Sequence, residues 1–344
     1  MELNLLTLKK QISDYLGTSD FQIEIIPHGA SIRRYYRLRF THDYYFPTRT
    51  VVLMQIPPER SEIADDYLNI SYYLRRHGIA RPRVYEIQRS LGWIFMEHGW
   101  GTTLDIFLRK NSECSKDQIY RKLLDFLIML QESARYEAHC PAFNRKFDHE
   151  KYVYEFGFHV KEQLLQNYFG YRMSSDDEKI FYQFSEDISR YLALDLMIFV
   201  HRDFQSSNIF YQQSTNGNNF QIIDFQDARS GHPLYDLVSL LWDSYVDLSP
   251  DLVTQLVQYF YDSHPLIRKQ FSSDEYLQHL DYLVIQRKLH DAGAFAYTYF
   301  LTQNDHYIHY IKDAILMALS KIQKYKSWEK MTENFQNILV NKDV

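Results

Sequence analysis

Three polar side chains near the middle of the chain have the types and spacing that phosphoryl transfer requires. Asp203 lies in the run 201–208, which reads HRDFQSSN and ends at Asn208. Asp224 ends an apolar run sixteen residues later. Phosphoryl transfer asks a protein mainly to position groups and to neutralise charge. Because an aspartate on a loop can accept the proton of an attacking hydroxyl, Asp203 is the predicted catalytic base.

The same pattern predicts a magnesium site. Asn208 and Asp224 offer oxygen ligands of the kind that Mg²⁺ prefers, and phosphates and water can complete its octahedral shell. HRD alone is a weak signal, whereas HRDxxxxN followed by an aspartate at a strand end is specific. The alternative is that these residues only cap turns and a strand end. We predict ATP and Mg²⁺ as cofactors, with Asn208 and Asp224 as the metal ligands.

The first part of the chain has the pattern of a small sheet with one helix packed on it. From Phe21 to about Ile94 the chain shows short β-branched or aromatic runs that read FQIEII, YYRLRF, RTVVLM and WIFM, the last of which continues to Met96. A helical stretch from Glu62 to His77 interrupts these runs, and Gly78 after it is a good helix stop.

The second part of the chain is predicted to be mainly helical. Helical periodicity dominates from Ile119 onward, except in a short β region at 198–227 that contains the catalytic pattern. The expected fold class is therefore α+β, with two lobes. A small antiparallel-sheet N-lobe (residues 1–98) would bind the nucleotide, and a helical C-lobe (residues 99–344) would carry the catalytic loop and the acceptor site.

Composition and charge argue against several other classes of protein. The net charge is −6 and contains no basic block, so a dedicated nucleic-acid binder is not expected. Cys114 and Cys140 are too few for a disulfide framework and have no metal-ligand neighbours at suitable spacing. The sequence shows neither a signal-peptide pattern nor an apolar run of the ~18 residues that a membrane span needs. A cytoplasmic protein that binds neither nucleic acid nor membrane is expected.

Longer segments around the catalytic pattern resemble a family of small-molecule kinases. Residues 223–241, IDFQDARSGHPLYDLVSLL, resemble the IDFQDAxxGPxxYDLVSLL stretch of bacterial cell-wall amino-sugar kinases, which are aminoglycoside phosphotransferase-like enzymes. Residues 29–37, GASIRRYYR, resemble that family's GDASFRRYFR loop over the nucleotide. Residues 286–295, QRKLHDAGAF, resemble its QRHLKVLGIF helix. The resemblance implies a protein-kinase-like fold with ATP between the lobes, and phosphorylation of N-acetylmuramate and N-acetylglucosamine at the anomeric hydroxyl.

The covering loop and the third predicted strand give candidates for phosphate binding. Gly29, Ala30 and Ser31 are small, so their backbone N–H groups can approach phosphate oxygens. The third strand, VVLMQIPP, lacks the lysine with which kinases hold the α- and β-phosphates, as does the VMDAPP run of the similar family. Arg33 or Arg37 is the predicted replacement, and the alternative is that both arginines pair with nearby carboxylates.

The apolar run WIFMEHG at residues 93–99 is predicted to be the hinge between the lobes. Backbone groups at Met96, Glu97 and Gly99 are expected to bind adenine. Asp236, as in the wider kinase family, is expected to hydrogen-bond the catalytic loop.

Four side chains are candidates for contact with the acceptor. Asp227 closely follows the predicted metal ligand, and Glu155 and His159 lie in a helical stretch that matches an acceptor-side segment of the family. Arg287 is a candidate partner for a substrate carboxylate. For each of them, a packed or ion-paired structural role is the alternative.

Three functions remain open at this level. The first is an ATP-dependent sugar 1-kinase whose partner is a small-molecule acceptor. The second is a kinase for another small alcohol, such as an aminoglycoside or choline. The third is a catalytically inactive, nucleotide-binding kinase fold, which the absent lysine suggests and the presence of Asp203, Asn208 and Asp224 argues against.

Overall fold

The first lobe contains a five-stranded antiparallel sheet. The computed structural model describes residues 5–27, 32–42, 45–213 and 219–341. The strands, in the spatial order β1-β2-β3-β5-β4, are β1 (Phe21–Ile26), β2 (Arg34–Phe40), β3 (Thr50–Gln55), β4 (Val84–Gln88) and β5 (Trp93–Glu97). The helices of this lobe, within those ranges, are α1 (Leu5–Leu16) and α2 (Ser61–Arg76).

Side-chain alternation along β3 explains why a helix covers each face of this sheet. Val51 and Leu53 pack in one apolar cluster with the buried side of α1, whereas Val52 and Met54 pack in a second cluster with α2. Neighbouring residues of a strand point to opposite faces, so both faces of β3 are apolar. The sequence prediction omitted α1 and β4. Strand β4 reads VYEIQ and is only partly buried, so its apolar signal is weak.

Helix α2 agrees closely with the sequence prediction. It begins and ends one residue before the predicted stretch Glu62–His77. Gly78 follows with φ of +73°, a left-handed conformation that glycine adopts without strain and that commonly ends a helix.

The second lobe is mainly helical and encloses two small sheets. Its helices are α3 (Leu104–Lys110), α4 (Lys116–Ser133), α5 (His149–Glu155), α6 (Ser175–Leu192), α7 (Tyr235–Leu241), α8 (Pro250–Ser263), α9 (Pro265–Gln270), α10 (Ser273–Thr302), α11 (His309–Ile322) and α12 (Glu329–Asn341). Its strands are β6 (Thr102–Thr103), β7 (Ile198–Val200), β8 (Ile209–Gln212), β9 (Asn219–Ile222) and β10 (Arg229–Gly231), arranged as a β6-β8-β9 sheet and a β7-β10 pair. The α+β prediction, with a sheet in the first lobe and helices in the second, is confirmed.

Short 3₁₀ turns connect several of these elements. They lie at Pro58–Arg60, Arg89–Leu91, Pro141–Asn144, Ser206–Asn208, Asp305–Tyr307 and Lys326–Trp328. The longest helix is α10, whose 30 residues include many buried charged side chains. In the ranges that the structure describes, no helix combines the length and apolarity needed to cross a membrane.

A π-helix, Phe156–Tyr168, continues α5 and packs on α10. Its wider turn is seen where the Phe169 N–H donates to the Leu164 carbonyl at 3.0 Å, five residues back. The π-helix approaches α10 closely at Gly293, where an added Cβ would lie 2.0 Å from the carbonyl oxygen of His159. A residue without a Cβ is therefore needed at this contact. π-Helices are rare and often occur at functional sites.

The β8–β9 hairpin brings two parts of the catalytic pattern together. Ile209 pairs with Ile222 in its register, and beyond that pair the Ile223 N–H donates to the Asn208 carbonyl at 3.0 Å. Asn208 and Asp224 are therefore close neighbours at one end of the hairpin.

Candidate active site

A buried carboxylate shapes the loop that carries Asp203. Asp236, at the start of α7, accepts the backbone N–H groups of His201 at 2.7 Å and of Arg202 at 3.0 Å. Arg202 has a φ of 80°, which is costly for a residue with a Cβ, and these bonds hold it there. Burial raises the pKa of Asp236 to about 7, despite the two N–H donors. Asp236 thus anchors the loop, as its place in the sequence suggested.

The carboxylate of Asp203 is oriented by an arginine from α10. Arg287 Nη2 donates to Asp203 Oδ1 at 2.9 Å, while its Nη1 donates to Tyr235 Oη at 3.1 Å and to the Arg202 carbonyl at 3.3 Å. Its Nε lies 3.0 Å from Asp291 Oδ1. Burial alone would raise the pKa of Asp203, but Arg287 and Arg202 outweigh it and hold that pKa below its usual range. Asp203 is therefore ionised at neutral pH, which a general base requires.

Arg287 takes a different position from the acceptor contact predicted for it. Its side chain is only 5% exposed and is engaged by Asp203, Asp291 and Tyr235. The structure favours the alternative of an ion pair within the protein, in which Arg287 positions the Asp203 carboxylate. Sequence reasoning missed this contact because the two residues are 84 positions apart.

Asn208 lies directly against the catalytic loop. Its Nδ2 donates to the Asp203 carbonyl at 3.0 Å, so the amide oxygen is available as a metal ligand. The His201 ring, through Nε2, is 3.0 Å from the carbonyl oxygen of Ile223, the residue before Asp224. The predicted base and both predicted metal ligands therefore lie together.

Arg33 reaches the predicted metal ligand from the other lobe. Its Nη2 is 3.3 Å from Asp224 Oδ1 and 4.0 Å from Asp227 Oδ2. Gln226 Nε2 donates to both carboxylates, at 2.9 and 3.1 Å. Arg33 is 11% exposed, against 37% for Asp224 and 47% for Asp227. These contacts place Arg33 beside Asp224, and they place Asp227 beside Arg33 and Gln226.

Arg37 lies in the middle of β2, four residues after Arg33, which directly precedes that strand. Its Nη1 pairs with Glu24 Oε2 at 3.0 Å, and its Nε donates to His98 Nε2, beside the hinge, at 3.2 Å. Burial and the charge of Arg37 lower the pKa of His98, which keeps that ring neutral as an acceptor. The two arginines considered for phosphate binding thus have different partners, and Arg33 is the one beside Asp224.

The hinge contains groups that already have partners in the protein. The Glu97 N–H donates to the Arg83 carbonyl at 2.8 Å. This N–H, one of the backbone groups predicted to bind adenine, therefore already has a partner in the protein. Met96 is buried, and its Sδ accepts Tyr67 Oη at 3.3 Å. Gly99 packs so tightly on Phe210 of β8 that an added Cβ would lie 2.2 Å from that ring. Gly99 therefore allows the hinge to contact the second lobe.

The Glu97 side chain connects the two lobes. Its Oε2 accepts Gln221 Nε2 of β9 at 3.3 Å, and its Oε1 accepts Trp100 Nε1 at 3.2 Å. The remaining nucleotide candidates, Gly29, Ala30 and Ser31, lie outside the described residues.

Glu155 and His159 lie in the interior of the second lobe. Glu155 is fully buried, accepts Gln286 Nε2 at 2.7 Å and pairs with Lys151 Nζ at 3.1 Å. Burial opposes its ionisation, but His290, Lys151 and Arg202 lower its pKa to about 2. The His159 ring contacts His290 at a centroid distance of 4.3 Å, and burial together with His290 lowers its pKa to about 3. Glu155 is therefore a buried anion and His159 a neutral ring.

The donor set at Asn208 and Asp224 is consistent with magnesium. Among the described residues, no group of three His, Cys, Asp or Glu side chains is arranged to hold a metal ion. A site that relies on such a cluster is therefore absent from this part of the chain. One amide oxygen and one carboxylate suit Mg²⁺, which keeps several water or phosphate ligands.

Comparisons with known proteins agree with this geometry. The family model described as "Phosphotransferase enzyme family" matches residues 22–268. The chain is 25% identical over 303 residues to an N-acetylmuramate/N-acetylglucosamine kinase of Neisseria meningitidis serogroup B, covering 87% of this chain and 85% of the relative.

Solved structures show the same fold. A Plasmodium vivax ethanolamine kinase matches with a TM-score of 0.64 and 13% identity, over 94% of this chain and 93% of that one. The GDP complex of aminoglycoside 2'-phosphotransferase-IIIa matches with a TM-score of 0.62 and 14% identity, over 94% of this chain and all 100% of that one. At these identities the likeness concerns the fold.

Proposed function

Because the chain belongs to the phosphotransferase enzyme family, we propose that it transfers the γ-phosphoryl group of ATP to the anomeric hydroxyl of an amino sugar. It is a small-molecule phosphotransferase by family. The acceptor class rests on the Neisseria relative, which is named a kinase of N-acetylmuramate and N-acetylglucosamine. The observation that carries the proposal is the ionised Asp203 carboxylate, which Arg287 orients at 2.9 Å beside Asn208 and Asp224.

In the proposed reaction Asp203 accepts the proton of the acceptor hydroxyl. The acceptor oxygen forms a bond to the γ-phosphorus, the bond from that phosphorus to the β–γ bridging oxygen breaks, and ADP leaves. Arg287 keeps Asp291 and Tyr235 as partners while Asp203 is protonated, so the cation is never left without an anionic or polar neighbour. Asp203 therefore changes charge in a fixed position.

In the proposed reaction, the residues that contact the nucleotide and its metal are Asn208, Asp224 and Arg33. Asn208 and Asp224 would hold Mg²⁺, which neutralises charge on the β- and γ-phosphates when it is bound. Arg33 supplies a cation beside Asp224 that the lysine-free strand β3 does not. It replaces that lysine in function, and it can exchange its contacts with Asp224 and Asp227 for phosphate oxygens.

Replacement of Arg33 by alanine should lower kcat/KM for ATP by about 10²-fold, because a buried cation that stabilises phosphate charge is lost. Arg37→Ala is the matched control, since Arg37 lies only four residues after Arg33 but pairs with Glu24 and His98. Steady-state kinetics with ATP as the varied substrate measures both. A larger loss in Arg37→Ala than in Arg33→Ala would assign the phosphate cation to Arg37 instead.

The proposed function is tested by offering the purified protein ATP, Mg²⁺ and a panel of acceptors. We expect ADP formation that depends on N-acetylmuramate or N-acetylglucosamine, and a sugar 1-phosphate that ³¹P NMR identifies by its anomeric coupling. Transfer only to choline, ethanolamine or an aminoglycoside would reject the amino-sugar acceptor. Nucleotide binding without transfer to any alcohol would favour the inactive fold.

A further inference from the structure

Three cations from separate elements meet next to the catalytic loop. Lys151 lies on α5, Arg202 precedes Asp203 in the loop, and Arg229 begins β10; we name these three residues the basic cluster. In the β7–β10 pair Arg229 lies opposite Val200, two residues before Arg202. Burial chiefly, with a smaller contribution from the charges of Arg202 and Arg229, lowers the pKa of Lys151. The cluster therefore lies on the C-lobe side of Asp203.

Contacts among aromatic residues connect the cluster to the reacting centre. The Arg229 guanidinium lies 4.8 Å from the centroid of the Phe147 ring, and that ring stacks on Tyr235 at 4.4 Å. Tyr235 in turn accepts the Arg287 guanidinium that orients Asp203. The position of Arg229 is thus fixed relative to Asp203 by packed rings.

The carboxylates near the basic cluster are already paired with other groups. Asp203 is bonded by Arg287 at 2.9 Å, and Glu155 is bonded by Lys151 at 3.1 Å. Asp227 faces Arg33 and the amide of Gln226. These carboxylates lie beyond ion-pair distance of the two arginines of the cluster, although the charges of Glu155 and Asp227 still favour the charged form of both arginines.

Arg202 and Arg229 have few direct partners in the described part of the chain. No carboxylate there lies within ion-pair distance of either guanidinium, and the buried Nε of Arg202 has no hydrogen-bond acceptor. The hydrogen bond that Arg229 makes there is from Nε to the Asp227 carbonyl, at 3.4 Å. Each guanidinium is therefore partly dehydrated and lacks a carboxylate at ion-pair distance, so a further anion at contact distance would stabilise the pair.

We propose that the basic cluster, chiefly Arg229 with Arg202, binds a carboxylate of the acceptor and makes the enzyme selective for an acidic sugar. This inference rests on the proposed function and adds the charge of the acceptor to it. Guanidinium groups bind carboxylates with two parallel hydrogen bonds, and a bound anion relieves the repulsion between the two arginines. A cationic acceptor, such as an aminoglycoside or an amino alcohol, is repelled by the positive charge of the basic cluster.

The test compares acceptors that differ by one carboxylate. N-acetylmuramate and N-acetylglucosamine form one pair, and glycerate and glycerol form a second, non-sugar pair. For the wild type we expect a higher kcat/KM for the acidic member of a pair. The Arg229→Gln variant should lower the ratio of kcat/KM for the acid to that for the neutral compound by about 10–100-fold, because the carboxylate loses its partner.

Arg145→Gln is the matched control for the loss of one arginine charge. Arg145 donates to the Gln226 carbonyl at 2.9 Å and pairs with Asp66, so it lies near the site but is already neutralised. We expect both acceptors of a pair to respond equally to Arg145→Gln. Thermal unfolding of both variants separates a loss of fold from a loss of selectivity.

The outcomes distinguish this inference from the proposed function. An equal loss for acid and neutral compound in Arg229→Gln, or a wild type without preference for the acid, overturns the carboxylate site even if amino sugars are phosphorylated. Selective phosphorylation of glycerate alone, with the preference lost in Arg229→Gln, rejects the amino-sugar acceptor but supports the carboxylate site. Transfer to cationic alcohols alone rejects both.

Discussion

Asp203→Asn is expected to lower kcat by about 10²–10⁴-fold, the usual contribution of a general base. An amide cannot take the hydroxyl proton, but its oxygen can still accept Arg287 Nη2, which donates to Asp203 Oδ1 at 2.9 Å. The loop should therefore keep its shape, because Asp236 continues to hold the N–H groups of His201 and Arg202. Single-turnover phosphoryl transfer to the acceptor measures the loss.

Nucleotide binding provides the control for this variant. Calorimetry with ATP and Mg²⁺ should give similar affinities for wild type and Asp203→Asn, because the predicted metal ligands Asn208 and Asp224 are unchanged. The reverse result, a near-normal kcat with weakened nucleotide binding, would show that Asp203 serves the nucleotide and that the base lies elsewhere.

Gly293→Ala is expected to lower the free energy of unfolding by about 1–3 kcal/mol, the usual cost of overpacking. Its Cβ would lie 2.0 Å from the backbone oxygen of His159 and 2.5 Å from its carbonyl carbon. Backbone atoms cannot turn aside as a side chain can, so α10 and the π-helix must separate. Equilibrium unfolding followed by circular dichroism measures the change.

Gly157→Ala is a control on the same helical segment. Nothing lies within 4 Å of a Cβ added at Gly157, so this change should be neutral or stabilising by up to ~1 kcal/mol through helix propensity. A clear destabilisation by Gly293→Ala and none by Gly157→Ala is the expected result. Equal, small effects would mean that the contact between α10 and the π-helix at His159 relaxes without cost.

The local part of the catalytic site could be predicted from the sequence. Asp203, Asn208 and Asp224 lie within one short stretch of sequence. The β8–β9 hairpin pairs Ile209 with Ile222, so the residues after β9 lie beside the residues before β8. Neighbouring residues in a hairpin are in contact whatever the rest of the molecule does. The relative positions of these residues could therefore be predicted from their spacing in the sequence.

The resemblance to amino-sugar kinases gave the order of the remaining segments but not their contacts. It left both Arg33 and Arg37 as candidates for the phosphate cation, and it left Arg287 as either an acceptor contact or an ion-pair partner within the protein. Two arginines four residues apart look equivalent in a sequence, whereas in the structure they lie beside different partners, Asp224 and His98.

Local periodicity and a single hairpin specify the α+β class, helix α2 and the grouping of the base with the metal ligands, so these features could be predicted from the chain alone. The packing of distant segments was needed to show that Arg287 orients Asp203 and that Lys151, Arg202 and Arg229 form the basic cluster. The same packing showed that glycine is needed where α10 meets the π-helix. These contacts join residues far apart in the chain, and their distances depend on how whole helices pack.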